Sequence, residues 1–317
     1  MFTTSQITFV TANLFNFIAP PNAYYDFENI YSAEHWEGKL SWTQSQLERL
    51  DPDIIGIQEV FSIEQTKLFF HGLGYPYFAA VDTPHVENDY IYSRPVVAIA
   101  SRYPIEQIQP VTFDKESLAP FGVHEAPEFS RKPIYAQIIH PTLGHIAVYV
   151  THLKSQRPAD TDNREDASPV MARWLSTQQR GWEAAMLRDS MQKQYKDKPM
   201  PTVLMGDMNQ PITIDGVNRL LTEFLGDNVT DLQLSDGWDL QVTPPLTDRP
   251  ATHYHFSKGN VLDYILLSQE FDASSEVSIA EVTNYQVLDQ HLINPYYERD
   301  KYASDHAFVA LTVELKL

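Results

Sequence analysis

Apolar and β-branched residues run in short blocks along most of the chain: Ile7 to Ala12, Ile54 to Gln58, Val96 to Ala100, Tyr135 to Ile139, Ile146 to Thr151, Thr202 to Met205, Val261 to Leu267 and Phe308 to Val313. Blocks of this length and alternation predict strands. Two longer stretches follow the helical period instead. The first covers about Ala33 to Leu50, with Trp36, Leu40, Leu47 and Leu50 on a broad apolar face and Asp51 and Pro52 as its stop. The second starts at Ser168 as N-cap and Pro169 as first helical residue. Val170, Met171, Trp174, Leu175, Trp182, Ala185 and Met186 are spaced along one side of it, and this stripe is expected in the core. A shorter helix is implied from Ser62 through Phe70, and the polar stretch Gln156 to Ala167 is expected to be a loop. There is no internal repeat, so residues 1–317 are expected to form a single β-rich domain.

Polar residues interrupt these blocks at their ends. Asn13 ends the first, Glu59 ends DIIGIQEV, and His152 ends HIAVYVTHLKS. Asp207 and Asn209 end PTVLMGDMNQ, Asp263 sits inside VLDYILL, and Asp305 and His306 open SDHAFV. Taken singly, most have an ordinary explanation: turn chemistry for Asn and Asp, a satisfied edge imidazole for His152, a helix cap for Glu59. Asp263 is different, because an acid between Leu262 and Tyr264 is costly to bury without a cationic or protonated partner, and His306 is the natural one. As a set, the residues supply hard oxygen ligands for Mg²⁺, an imidazole with a carboxylate to orient it, and donors for phosphate oxygens.

Composition narrows the setting. With 43% hydrophobic and 12% aromatic residues the chain can bury a large core, and 42 acidic against 23 basic residues leave a net charge of -19. Such a balance opposes long-range attraction to polyanions while favouring a hard cation at an acidic cluster. The absence of cysteine removes disulfides and thiolate metal sites. No apolar run is long enough to span a bilayer, so no stable membrane insertion is expected. The start, MFTTSQITFV, lacks the basic stretch and apolar core of a secretory signal; a cytoplasmic location is expected, although a leader already removed would look the same.

Eight blocks, VTANLFNF, DPDIIGIQEV, SRYPI, FSRKPI, THLKS, MGDMNQP, LDYILLS and SDHAFV, resemble the endonuclease/exonuclease/phosphatase superfamily that includes deoxyribonuclease I, in order and over nearly the whole chain. The pairing of GDMN with SDH is the specific part. The resemblance implies an α+β fold, a four-layer α/β/β/α sandwich of two packed mixed sheets with helices outside. It implies Glu59 as the principal metal ligand, with Asn13 and Asp305 in the shell of a Mg²⁺ ion that Mn²⁺ can replace. Asp207 and Asn209 would hold the attacking water and the phosphate, Asp263 and His306 would form the carboxylate and histidine dyad, and His152 would face the phosphate. Arg131 in FSRKPI matches an arginine that contacts substrate phosphate.

Departures bear on the substrate. The tyrosine-glycine motif of apurinic-site endonucleases is absent before SRYPI, and so is the proline-tryptophan-cysteine-aspartate block of inositol-polyphosphate 5-phosphatases. The segment QHLINPYYERDKYASDHAFV, with THLKSQRP and the downstream Gln178, Gln179 and Arg180, is more similar to bacterial nuclease-like members. The expectation is therefore a Mg²⁺-dependent phosphodiesterase, a nuclease on DNA or RNA, with Lys154, Arg157 and Arg164 as cations beside His152 that attract a polyanion locally. A phosphatase or phosphodiesterase for small molecules or lipid head groups is the second reading. Phe15, Phe17, Ile18, Tyr24 and Tyr25 would be its exposed apolar loop, though a packing role suits them better. A catalytically inactive binding module is the third. Oligomeric state is not legible.

Overall fold

The apolar blocks assemble into two six-stranded mixed sheets packed face to face. The computed structural model describes residues 6–123, 127–159, 168–224 and 231–316; Arg164 and most of the loop that carries it lie outside these. The strands of the sandwich are β1 (Gln6–Phe17), β2 (Ile54–Val60), β3 (Tyr77–Ala79), β4 (Val96–Ser101), β5 (Ile105–Pro110) and β6 (Ile134–His140). They continue as β7 (Gly144–His152), β8 (Thr202–Asp207), β9 (Leu234–Asp236), β10 (Asp263–Ser268), β11 (Ala280–Leu288) and β12 (Phe308–Leu315). One sheet has the order β11-β12-β1-β2-β4-β3 and the other β9-β10-β8-β7-β6-β5. Only β1 with β2 and β7 with β8 run parallel; the remaining neighbours in the sandwich are antiparallel.

Four of these strands, β3, β5, β9 and β11, are not among the expected blocks, and all four are edge strands. β5 carries Glu106, Gln107 and Gln109, and β11 carries Glu281, Thr283, Asn284 and Gln286. Both lie at a sheet edge, where one face and one row of backbone groups meet solvent, so an apolar run is not required of them. Asp263 also opens β10 instead of sitting inside it.

Ile7, Phe9, Ile54 and Leu311 of one sheet meet Ile138, Val148, Met205 and Leu267 of the other in a dry central layer. The outer face of the first sheet is covered by α1 (Ala33–Leu50) and α2 (Ile63–Gly72), through Trp42, Leu47 and Phe70. Helix α1 starts where Ser32 accepts from the His35 amide at 3.1 Å and stops at Asp51, whose φ of 44° precedes Pro52. The outer face of the second sheet is covered by the C-terminal half of α3 (Pro169–Asp197), through Ala184, Leu187, Met191 and Tyr195. The result is the four-layer α/β/β/α sandwich.

The apolar stripe of α3 does not behave as expected. Val170, Met171, Trp174 and Leu175 are exposed, Trp182 and Ala185 are half-buried, and only Met186 of that set is in the core. The inward face is instead Ala172, Ser176, Arg180, Glu183, Ala184 and Leu187. The first turns of α3 pack against loops, and loops present backbone amides and carbonyls that call for polar partners. Of the aromatic segment near the N-terminus, Phe17 and Ile18 are fully buried and only Tyr25 is substantially exposed.

Candidate active site

The strand ends come together because of register. His152 at the end of β7 pairs with Asp207 at the end of β8, which pairs in turn with Asp263 at the start of β10. One imidazole and two carboxylates thus stand in adjacent positions along one sheet edge. Gly206 makes the approach possible: at φ 155° its Cβ would stand 2.0 Å from the Thr151 carbonyl oxygen. In the other sheet β1 pairs with β2 and β12, which brings in Asn13, Glu59 and the Ser304–His306 turn. Glu59 has φ 64° where the β2 register slips, an unfavourable conformation for a glutamate that aims it into the cleft. The cleft has a volume of about 590 Å³ and is bordered by Glu59, Asp207, Asn209, Asp305, His152 and His306, among others.

His306 is buried between two carboxylates. One ring nitrogen, Nδ1, lies 2.8 Å from Asp263 Oδ2, and Nε2 lies 3.8 Å from Asp207 Oδ2. Burial by itself would lower its pKa, but the attraction of Asp263 and Asp207 and the hydrogen bond to Asp263 outweigh that and hold it well above the usual imidazole range. Burial raises the Asp207 carboxyl, against the opposing pull of His306. Asp207 Oδ1 accepts from the Asn209 amide at 2.7 Å, and Asn209 itself sits at φ 54° with its side-chain amide donating to the Leu153 carbonyl at 2.9 Å. The turn around His306 is fastened by Ser304, which donates to the Asn13 carbonyl at 2.7 Å and accepts from the His306 amide at 3.0 Å.

His152 has the opposite character. It is buried, its Nδ1 has no hydrogen-bond partner among the described residues, and its Nε2 lies 3.4 Å from Asp207 Oδ2. Burial, reinforced by the positive charges of Arg131, His306 and Lys154, pushes its pKa well down. It is a neutral imidazole.

Glu59 is no helix cap: Oε2 accepts from the Asn16 amide at 2.8 Å, while Ser62 is the N-cap residue of α2. The Asn13 side-chain amide donates to Asp207 Oδ2 at 3.1 Å and to Glu59 Oε1 at 3.5 Å, and its Oδ1 accepts from the Phe15 amide at 3.0 Å. In this arrangement Asn13 braces the two carboxylates and does not turn an oxygen toward the cleft. Asp305 is exposed at the cleft mouth. The donors on this side, Glu59 and Asp305, are carboxylate oxygens only, a set that fits a hard divalent cation. Behind them lies buried Lys39 of α1, its ammonium 5.3 Å from the Phe15 ring and 5.9 Å from the Tyr31 ring. Burial pushes its pKa down to about 8 although Asp305 and Glu59 pull the other way.

Arg131 and Arg157 border the cleft, whereas Lys154 does not. Arg131 donates to the His152 and Leu153 carbonyls at 3.5 and 3.4 Å, and its Nε is buried without a partner among the described residues. The loops bearing these residues are gripped by two buried charges of α3. Glu183 accepts from the Ser130 amide at 2.8 Å and the Lys154 amide at 2.6 Å; Arg180 donates to the Lys154 carbonyl at 3.0 Å and to Gln210 Oε1 at 3.1 Å. Sequence reasoning did not single out Lys39, Glu183 or His253, which stacks near His306 with ring centroids 4.8 Å apart. Lys39 alone of these has a legible signal, a charge three residues after Trp36 on the apolar face of α1.

A family model described as Endonuclease/Exonuclease/phosphatase family matches residues 10–306. No curated protein matches by sequence. Among solved structures, a humanized D. rerio TDP2 is 14% identical with TM-score 0.61, over 98% of this chain and 100% of that one. The human Nocturnin catalytic domain with bound sulfate is 18% identical with TM-score 0.61, over 98% and 95%. An endonuclease/exonuclease/phosphatase from Bacteroides vulgatus is 14% identical with TM-score 0.61, over 98% and 99%. At these identities the likeness concerns the fold.

Proposed function

Because the chain belongs to the endonuclease/exonuclease/phosphatase family, whose members are generally phosphoric ester hydrolases that use a divalent metal, we propose that it is a Mg²⁺-dependent phosphodiesterase acting on DNA or RNA. The twelve strands of its sandwich run from Gln6 to Leu315, which supports reading residues 1–317 as one domain. The observation that carries the proposal is the meeting, at one cleft, of Glu59 and Asp305 with Asp207, Asn209, His152 and the Asp263–His306 pair.

Glu59 and Asp305, with Asn13 bracing Glu59 from behind, would hold Mg²⁺ or Mn²⁺, which supplies charge neutralisation at the phosphate when bound. Asp207 and Asn209 orient the attacking water. Asp207 takes its proton, and charged His306, its ring fixed by Asp263, holds the Asp207 carboxylate from Nε2, so that the two act as a unit. Neutral His152 donates to a non-bridging oxygen, where charge builds up in an in-line displacement. Arg131 contacts the same phosphate, and Lys154 and Arg157 the neighbouring ones.

The test is hydrolysis of a chromogenic phosphodiester, then of DNA and RNA, by chain stripped with a chelator. Turnover should vanish and return with Mg²⁺ or Mn²⁺. Full turnover in excess chelator overturns the metal assignment, and no hydrolysis of any diester with metal present overturns the enzymatic one.

One observation favours a lipid head-group phosphodiester instead. Val170, Met171, Trp174 and Leu175 form an exposed apolar patch on α3, and Arg173 within it also borders the cleft. Among the described residues no helix is long and apolar enough to cross a membrane, so such contact would be peripheral. Faster cleavage of sphingomyelin vesicles than of any polynucleotide would select this reading.

A further inference from the structure

We propose that His253, Asp305 and His306 form a second, nitrogen-rich site for a transition-metal ion such as Zn²⁺, and that filling it stops hydrolysis. The binding half stands on geometry alone; the inhibitory half rests on the role given to His306 above.

One donor atom from each of the three side chains lies within 4.8 Å of the others. His253 is held in this position by backbone. It begins the hairpin formed by His253–His255 and Lys258–Asn260, and it forms an isolated bridge with His306. The preceding Thr252 is buried, with its carbonyl accepting from the Ala307 amide at 2.7 Å and its hydroxyl from the Leu262 and Asp263 amides at 2.9 and 3.1 Å. The hairpin is therefore stitched both to the His306 turn and to the start of β10. His253 Nδ1 is buried and has no hydrogen-bond partner among the described residues, a costly state for an imidazole nitrogen that a ligand would relieve.

The site shares Asp305 with the Glu59 side of the cleft but differs from it in donor chemistry. Two imidazoles and one carboxylate suit Zn²⁺ and its neighbours in the transition series, which bind nitrogen far more strongly than Mg²⁺ does. Three protein donors leave a fourth position for water. His306 is already arranged as such a ligand, because Asp263 holds Nδ1 and leaves Nε2 to the metal, the second-shell pattern that orients ligating histidines. Asp305, exposed at the mouth, gives the ion access from solvent. On binding, Nε2 gives up its proton to water and the metal–nitrogen bond forms, with no change of oxidation state. That nitrogen can then no longer hold the Asp207 carboxylate that takes the proton of the attacking water.

Anomalous scattering at the zinc edge, from crystals of the full wild-type chain grown with Zn²⁺, tests the site without any substitution. A peak bounded by His253, Asp305 and His306 is expected. A peak at Glu59 and Asp207, or none, overturns the proposal. In solution, Zn²⁺ should inhibit Mg²⁺-supported hydrolysis of a chromogenic diester. In His253→Gln the half-inhibiting Zn²⁺ concentration, each variant measured against its own zinc-free rate, should rise at least about tenfold. An unchanged value, or binding at the site without loss of rate, overturns the inhibitory half. Calorimetric Zn²⁺ binding that falls in His253→Gln supports the site even if the chain hydrolyses no diester, so failure of the enzymatic reading is distinguishable from failure of this one.

Discussion

Two buried histidines face the same cleft and are driven to opposite charge states. His306 lies 2.8 Å from Asp263 and 3.8 Å from Asp207, and two carboxylates outweigh the cost of burying its charge. His152 is just as buried and its Nε2 lies 3.4 Å from Asp207, yet burial and the repulsion of Arg131, His306 and Lys154 act together to lower its pKa and favour the neutral ring. Burial therefore does not set the role of a histidine; the sign of what surrounds it does. In the proposed reaction the same difference divides labour, with the charged ring holding the carboxylate that takes the proton and the neutral one donating to phosphate.

The sharpest way to break this comparison is to remove the proton-transfer unit. His306→Ala and Asp207→Asn should each lower kcat by about 10²- to 10⁴-fold, with the double variant little worse than either, because the two act together. A folded variant that keeps near wild-type turnover ends the assignment. His152→Ala should cost less, roughly 10²-fold in kcat, the scale of one donor to a developing oxyanion. Its pH–rate profile should keep the wild-type limb on the alkaline side, since the Asp207–His306 unit is intact; a displaced limb would show that His152 takes part in proton transfer.

Stability should separate the two rings by the sign of its pH dependence. The raised pKa of folded His306 gives stability that is fully present below the unfolded value of about 6.5 and is lost as pH rises through the folded one. The depressed pKa of His152 gives stability present above about 6.5 and lost as pH falls toward its folded value. Thermal melts of the metal-free chain across about pH 5 to 8 should show His306→Gln flattening the alkaline decline and His152→Gln the acid one. The reverse pattern would exchange their charge states.

The smallest effect concerns the cations beside His152. Neutralising Lys154 and Arg157 together should raise KM for a polynucleotide and flatten its salt dependence by about one unit per lost phosphate contact. A small chromogenic diester should be almost unaffected. Equal effects on both substrates would remove this loop as a polyanion contact and favour the lipid reading.

What the sequence determined by itself was local. Period-two apolar blocks mark the interior strands because each lies against a packed face, and the buried cost of Asp263 next to His306 in SDH points to a pair before any geometry is known. Edge strands β5 and β11 escape that pattern, since half of each faces solvent. Tertiary structure decided which strand ends stand side by side: the register His152, Asp207, Asp263 joins residues up to 111 positions apart, and Asn13 reaches Asp207 across 194. It also decided which side of α3 turns inward. There the apolar stripe lies outside and Arg180 and Glu183 lie inside, because what that stretch covers is a set of loops with backbone groups to satisfy. Hydrophobic periodicity reports burial against apolar surface, and it is silent where the buried surface is polar.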